Sequence, residues 1–419
     1  MAQLSDDCFA FGGPLMTMDR ALALLAERVA PVTDVETVKL GEALGRALAE
    51  DVISTVAVPP RDNAAVDGYA FRHGDQAEGA AETRLRVIDR AAAGHPAARA
   101  AGSGEAIRVF TGAVLPIGTD TCAMQEDCRV EDDFVVIPAG LKPGANRRKA
   151  GEDVTVGKIV LTEGARLRAQ DIGIAASIGR DRLAVHRRLR VAVFSTGDEV
   201  IDPGQPPAPG QIFDANRHAL MALLRGLGAK IEDLGILPDD RNAIARALGG
   251  AAERCDALIT SGGMSTGDED HVRAAVAGQG AIHFWRLAIR PGRPVALGQV
   301  GRTAFIGLPG NPVAAMVTFF RFARPLLLRL GGVREVEPRF YRVRADFEYR
   351  KKAERREWLR ARLDPGGDGV PLARKFARDG AGILTSMVES HGLVELGEDV
   401  TRVEPGMMVD FMPFSELTA

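Results

Sequence analysis

From Arg190 onward the chain alternates two kinds of apolar pattern, and few architectures accept that alternation. "RVAVFSTGDEV" is an apolar run ending in small polar and acidic residues, and "DANRHALMALLRGLGAKI" follows it with helical spacing and a glycine stop. "KIEDLGIL" then reads as a strand, "DRNAIARALGGAAE" as a helix, "CDALITSGG" as a strand and "DHVRAAVAG" as a helix. Strands alternating with helices predict a parallel sheet covered by helices on both faces, over about 190–330.

The flanking segments read differently. "TMDRALALLAERVA", 17–30, spaces apolar residues by three and four behind a capping Thr, which predicts an amphipathic helix stopped near Pro31. From about Glu50 to Val185, short apolar runs such as "IRVF", "FVVIP" and "KIVL" are divided by Gly and Pro, which predicts a β-rich region. Beyond "VREVEPRFYRV", the pieces "RFYRVRADF", "REWLRARL", "HGLVELG" and "MMVDFMPF" predict a small all-β C-terminal domain. The expected units are 1–187, 188–333 and 338–415. No repeat of 20 to 50 residues is visible, and "GQPPAPGQ" is a Pro-rich loop inside the α/β unit.

Composition removes several function classes. The 53 basic and 56 acidic residues give a net charge of −3, so nothing global recommends a nucleic-acid partner. No run reaches the roughly 20 apolar residues of a membrane span, and "MAQLSDDCFAFGG" is acidic where a secretory signal is basic. The four cysteines are irregularly spaced without a CxxC pair, which predicts reduced structural thiols and a cytoplasmic address.

Ligands of an open α/β sheet gather beyond the carboxyl ends of its strands, and three loops fall there. Ser195, Thr196 and Gly197 offer hydroxyls and close backbone approach, with Asp198 and Glu199 as hard oxygen donors; an ordinary capped strand-to-helix loop explains them equally well. In "SGGMSTGDEDHV", Gly262 and Gly263 free N–H groups for a phosphate beside Asp268, Glu269 and Asp270. Carboxylates beside a phosphate turn would repel the ligand without a divalent cation between them, so the pairing predicts Mg²⁺, although acids at a helix start have their own benefit. "GLPGNPVAAM" fixes a rigid turn through Pro309 and Pro312. Just upstream, Arg286, Arg290 and Arg293 suit oxyanions, and an extended segment would put Arg286 and Arg290 on one face. In the β-rich part, "PPRDNAAVDGYAF" and "FTGAVLPIGTDTCAMQED" set Asp62, Asp67, Thr111 and Glu126 among small residues, as turns or as parts of a cleft.

In order, "DNAAVDGYAF", "TGAVLPIGTD", "NRRKAGED", "STGDEV", "SGGMSTGDED", "AIRPGRP" and "GLPGNPV" resemble the motif series of the molybdopterin molybdenumtransferases, the MoeA and gephyrin E-domain family. The resemblance covers nearly the whole chain, including "GAGILTSMVESHGLVEL" near its end. It implies a multidomain α/β fold: a central three-layer α/β/α domain with a mostly parallel sheet, β-rich N-terminal lobes and a small C-terminal β-barrel-like domain. It implies insertion of molybdenum from molybdate into adenylylated molybdopterin, with Mg²⁺-dependent loss of AMP, in a homodimer whose cleft joins the α/β domain of one subunit to N-terminal parts of the other. On the matching positions, Asp67 and Thr111 would line the cleft, Glu199, Asp239 and Asp270 would serve at the metal and pterin site, Gly262, Gly263 and Ser265 would cradle phosphate, and Pro309 and Pro312 would shape the pocket. Molybdopterin adenylyltransferase and apo-molybdoenzymes are the partners such a role suggests. No Ser–His or Cys–His constellation stands out among the seven histidines, which fits catalysis by positioning and charge.

The chain departs from that pattern in places. Ala64-Ala65-Val66-Asp67-Gly68-Tyr69 stands for the usual S-A-M-D-G-Y, Arg290-Pro291-Gly292-Arg293-Pro294 for K-P-G-K-P, Ala314 for a common Ser and "ESHG" for A-N-G. These changes bear on substrate geometry, including tungstate against molybdate, more than on reaction class. The alternatives are an adenylyltransferase, which needs only the central unit, and a non-catalytic scaffold or carrier, against which the retained acids speak.

Overall fold

The computed structural model of the chain describes residues 15–76, 79, 81–263 and 271–418. Its first helix, Met18–Arg28, begins at the Thr cap: Thr17 Oγ1 accepts the Arg20 N–H at 3.3 Å. Its buried face of Met18, Ala21, Leu24 and Leu25 does not join the lobes that follow, but packs into the core that holds Val191, Val193, Ile306 and Trp358. Thr17→Ala is expected to cost about 1 kcal/mol, seen as a lower urea midpoint with an unchanged slope.

Residues 35–186 build two β lobes, one inserted in the other. Val35–Lys39 pairs antiparallel with Arg182–His186, and Val52–Ile53 with Ile159–Leu161, around Val38, Leu48, Leu161 and Leu183. Between them lies a six-stranded sheet in the order Thr121–Met124, Gly68–Phe71, Glu105–Val109, Glu82–Ala91, Phe134–Pro138, Arg129–Glu131. One helix, Ala169–Ser177, interrupts the β-rich reading; its start is held by Asp171, whose carboxylate accepts the Arg168 N–H at 2.8 Å.

The central domain carries β1 (Arg190–Thr196), β2 (Lys230–Leu237), β3 (Ala257–Ser261), β4 (Gly280–Arg286), β5 (Pro294–Val300) and β6 (Thr303–Leu308) in the spatial order β2-β1-β3-β6-β5-β4. Val191 and Val193 belong to one core and Ala192 and Phe194 to another, so β1 is covered on both faces, as its unbroken apolar run requires. The first four strands of that order are parallel, whereas β5 and β4 run antiparallel, so the sheet is mixed where uninterrupted alternation predicts a parallel one. The cause is local: Val300 pairs with Thr303 across Gly301 and Arg302, and so short a connection can only return antiparallel.

In the C-terminal domain, Arg356–Asp364 pairs with both Leu372–Lys375 and Gly392–Leu396, which closes a five-stranded barrel with Tyr341–Ala345 and Met408–Pro413. Ile289–Arg290, from the connection between β4 and β5, leaves its own sheet and adds to this barrel parallel to Arg356–Asp364. That crossing fixes the barrel against the carboxyl edge of the central sheet. Among the described residues, no helix is long and apolar enough to cross a membrane.

Candidate functional site

Because β1, β3 and β6 are parallel neighbours, the loops that follow them emerge side by side. A Cβ on Gly310 would stand 3.4 Å from Gly262 Cα, and one on Gly263, at φ +63°, only 2.5 Å from Thr196 Oγ1. The loops lie in contact, and at Gly263 both the positive φ and the Thr196 hydroxyl exclude a side chain. Asn216, on the helix Ala215–Gly226, stitches them together: its Nδ2 donates to Ser261 Oγ at 2.8 Å and to Gly310 O at 2.6 Å, while Ser261 Oγ donates to Pro309 O at 2.8 Å. Pro312 opens the helix Pro312–Thr318, as its fixed φ favours. Ser195 and Thr196 are buried beneath the loops.

A cavity of about 610 Å³ opens beside these turns. Gly262, Gly263, Arg290, Arg293, Pro309 and Asn311 line one side; Tyr349, Glu357, Arg360 and Asp379 of the barrel domain line the other. Arg360 is buried, with Nε donating to Ser386 Oγ at 3.0 Å and Nη2 to Gly380 O at 3.2 Å, and burial lowers its pKa from the ordinary arginine value. The cavity's acids are already engaged: Glu357 with Arg355 at 2.5 Å and Asp379 with Lys375 at 2.8 Å. The arrangement leaves guanidinium charge facing the space, the chemistry of an oxyanion seat.

Sequence reasoning finds only one wall of this cavity. The barrel wall comes from "REWLRARL", read as an ordinary strand; only the structure shows that Glu357 and Arg360 stand inside a run buried at every position from 357 to 361. Asn216, Ser261, Tyr349 and Asp379 also escaped that reading. Arg286 ends β4 opposite Pro294, its carbonyl accepts the Met16 N–H at 3.0 Å, and, like Glu199 and Asp239, it does not line the cavity. Arg286 and Arg290 share no face because the chain changes sheets between them.

Asp67 and Thr111 form a second unit, in the N-terminal lobe. Pairing of Gly68 with Val109 sets the residue before one strand beside those after the other. Asp67 Oδ1 accepts the Thr111 N–H and the Thr111 hydroxyl, each at 2.8 Å, and these bonds, with Arg108 nearby, hold its carboxyl below the usual aspartate value. Neither residue lines the cavity of its own chain. Asp62 is a turn residue, its Oδ1 accepting the Ala150 N–H at 2.8 Å.

Three family models account for most of the chain. Residues 16–179 match the MoeA N-terminal region (domains I and II), 192–329 a probable molybdopterin binding domain, and 342–414 the MoeA C-terminal region (domain IV). The molybdopterin molybdenumtransferase of Haemophilus influenzae is 35% identical over 405 residues, covering 96% of this chain and 100% of that one. The chain belongs to the MoeA family. A molybdopterin molybdenumtransferase of Nostoc sp. is 36% identical over 380 residues, covering 89% of this chain and 87% of its own. The crystal structure of a molybdopterin biosynthesis MoeA protein from Pyrococcus horikoshii superposes with a TM-score of 0.81 at 28% identity, covering 96% of this chain and 100% of that one.

For a MoeA-family chain the acids of the carboxyl edge matter next. Glu199 follows β1 and Asp239 follows β2, its parallel neighbour; both are exposed, and neither carboxylate has a hydrogen-bond or ion-pair partner among the described residues. Among the described residues, no three metal-ligating side chains converge. Ser265 and Asp270 lie outside the described residues.

Proposed function

We propose that this chain is a molybdopterin molybdenumtransferase, placing molybdenum from molybdate on the dithiolene of adenylylated molybdopterin and releasing AMP. The observation that carries the reading is the cavity at the domain junction, where Arg290, Arg293 and Arg360 accompany glycine-rich turns. The Gly262 N–H is committed to Leu308 O at 3.1 Å, so the phosphates of the pyrophosphate-like linkage and the tetrahedral oxyanion alike are left to the guanidinium forks and the remaining turn N–H groups. Both anions therefore have seats in one cleft, and holding them together with fixed charges is the catalytic contribution.

Uncommitted carboxylates at the same sheet edge are hard oxygen donors of the kind Mg²⁺ takes, so Glu199 and Asp239, with Asp270, are the residues that would hold it. Bound there, Mg²⁺ would neutralise phosphate charge. We place Asp67 and Thr111 in the cleft of a homodimer, supplied by the N-terminal lobe of a second copy, since they do not line the cavity of their own chain. A reducing, cytoplasmic setting fits thiols that burial pushes up to about 12 for Cys122 and Cys255 and about 11 for Cys128. The test is AMP release from adenylylated molybdopterin by the purified protein with Mg²⁺, with and without molybdate. Release that depends on molybdate, with a product able to reactivate an apo-molybdoenzyme, is the expected result; release indifferent to molybdate, or tight binding without release, overturns the reading.

A further inference from the structure

We propose that Tyr349 and Glu357 of the barrel domain are positioning residues that aim Arg290 into the oxyanion cavity. The inference rests on the reading of that cavity as an oxyanion seat. Arg290 reaches the cavity from the segment that crosses into the barrel, where it pairs directly with Glu357. Its fixing points come from the barrel. Arg290 Nη1 donates to the Tyr349 hydroxyl at 3.3 Å, that hydroxyl donates to Glu357 Oε2 at 2.7 Å, and the guanidinium lies 3.7 Å from the same oxygen.

The division of charge matters as much as the geometry. The Glu357 carboxylate is fully buried and meets Arg355 through its other oxygen, Oε1, with Arg355 Nε at 2.6 Å. Arg355 thus shares the negative charge, and Arg290 makes its hydrogen bond to a neutral phenol. Burial and the bond to Glu357 push the Tyr349 hydroxyl up to about 12, so the phenol stays protonated. Arg290 keeps 48% of its side chain exposed, so its remaining N–H groups are available to an anion. A carboxylate shared with Arg355 and relayed by Tyr349 sets the direction of Arg290 and leaves its remaining N–H groups to an anion.

Calorimetric titration of the full-length protein with sodium molybdate tests this. Tyr349→Phe is expected to weaken binding about tenfold, the loss of a hydrogen bond to a charged group, with the melting temperature retained. Arg290→Met, titrated to saturation, should bind more weakly still, and Tyr349→Phe added to Arg290→Met should change nothing further. In turnover, Tyr349→Phe should raise the molybdate KM and leave kcat in place. Equal weakening by Tyr349→Phe in both backgrounds, wild-type affinity in Tyr349→Phe, or no molybdate binding by the wild type would each overturn the assignment. The functional reading is judged separately: AMP release indifferent to molybdate, with the coupling intact, removes the transferase and leaves the positioning pair standing.

Discussion

Asp67→Asn is expected to leave the fold intact and to cut molybdate-dependent AMP release by about a hundredfold or more, the scale at which removing one preorganised electrostatic group at a reacting centre is felt. Asp67 is half-buried, and its backbone partners do not depend on its charge: Gln125 N–H donates to its carbonyl at 3.0 Å. An amide oxygen can still accept the Thr111 N–H, so the turn survives while the negative charge is lost. The Thr111 bonds hold the Asp67 carboxyl below the usual range, so the group is ionised through the neutral and mildly acidic range, and no loss of activity above about pH 4 should come from its protonation. Circular dichroism and melting temperature report the fold, and AMP release reports the chemistry. Full activity in a folded Asp67→Asn protein removes Asp67 from the cleft.

This prediction turns on a residue that the sequence marks and a single chain does not deliver to the cavity. The same contrast runs through the molecule. The alternation after Arg190 announces the central domain because each strand is buried on both faces and each helix carries one apolar stripe, patterns that local composition records. The glycine turns are equally visible, since Gly262 at φ +88° and Gly263 at φ +63° take a backbone conformation that residues with side chains rarely adopt. The antiparallel β4 and β5 were harder to see. Their direction depends on the Gly301–Arg302 turn and on a detour into the barrel, neither of which alters hydrophobic period. Least legible was the barrel wall: Tyr349, Glu357, Arg360 and Asp379 acquire meaning only when a strand far along the chain is laid beside Arg290. Sequence spacing grouped Arg286 with Arg290, while pairing grouped Arg290 with Glu357.

Arg217→Met should prove the most destabilising single change outside the apolar cores, costing about 3–5 kcal/mol, the usual consequence of leaving a buried charge without its partner. Arg217 and Asp214 are almost wholly buried; Arg217 Nε donates to Asp214 Oδ2 at 2.9 Å, Nη1 donates to Asp233 Oδ1 at 2.6 Å, and Nη2 meets Asp202. Methionine fills much of the volume and supplies no charge, so Asp214 would be left to its helix-capping bond with the 217 N–H, facing Asp233. The dependence on pH follows from Asp233. Burial works against its charge, but the Gly235 N–H and Arg217 outweigh it and hold the carboxyl below the usual aspartate value. A carboxylate depressed in the fold contributes stability above its unfolded pKa of about 3.9, and that contribution is lost as the pH falls through the folded value. The deficit of Arg217→Met should therefore be full near neutrality and shrink below about pH 4, where the wild type loses the same interactions. Urea denaturation of both proteins at pH 7 and at about pH 2.5 reads this directly, and a deficit that grows toward acid would show that the carboxylates are not what Arg217 holds. Asn216, next to Arg217 on the same helix, ties Ser261 to Gly310, so loosening this ion cluster should also slacken the loops that form one wall of the cavity. Molybdate affinity in Arg217→Met is accordingly expected to fall even at temperatures where the protein remains folded.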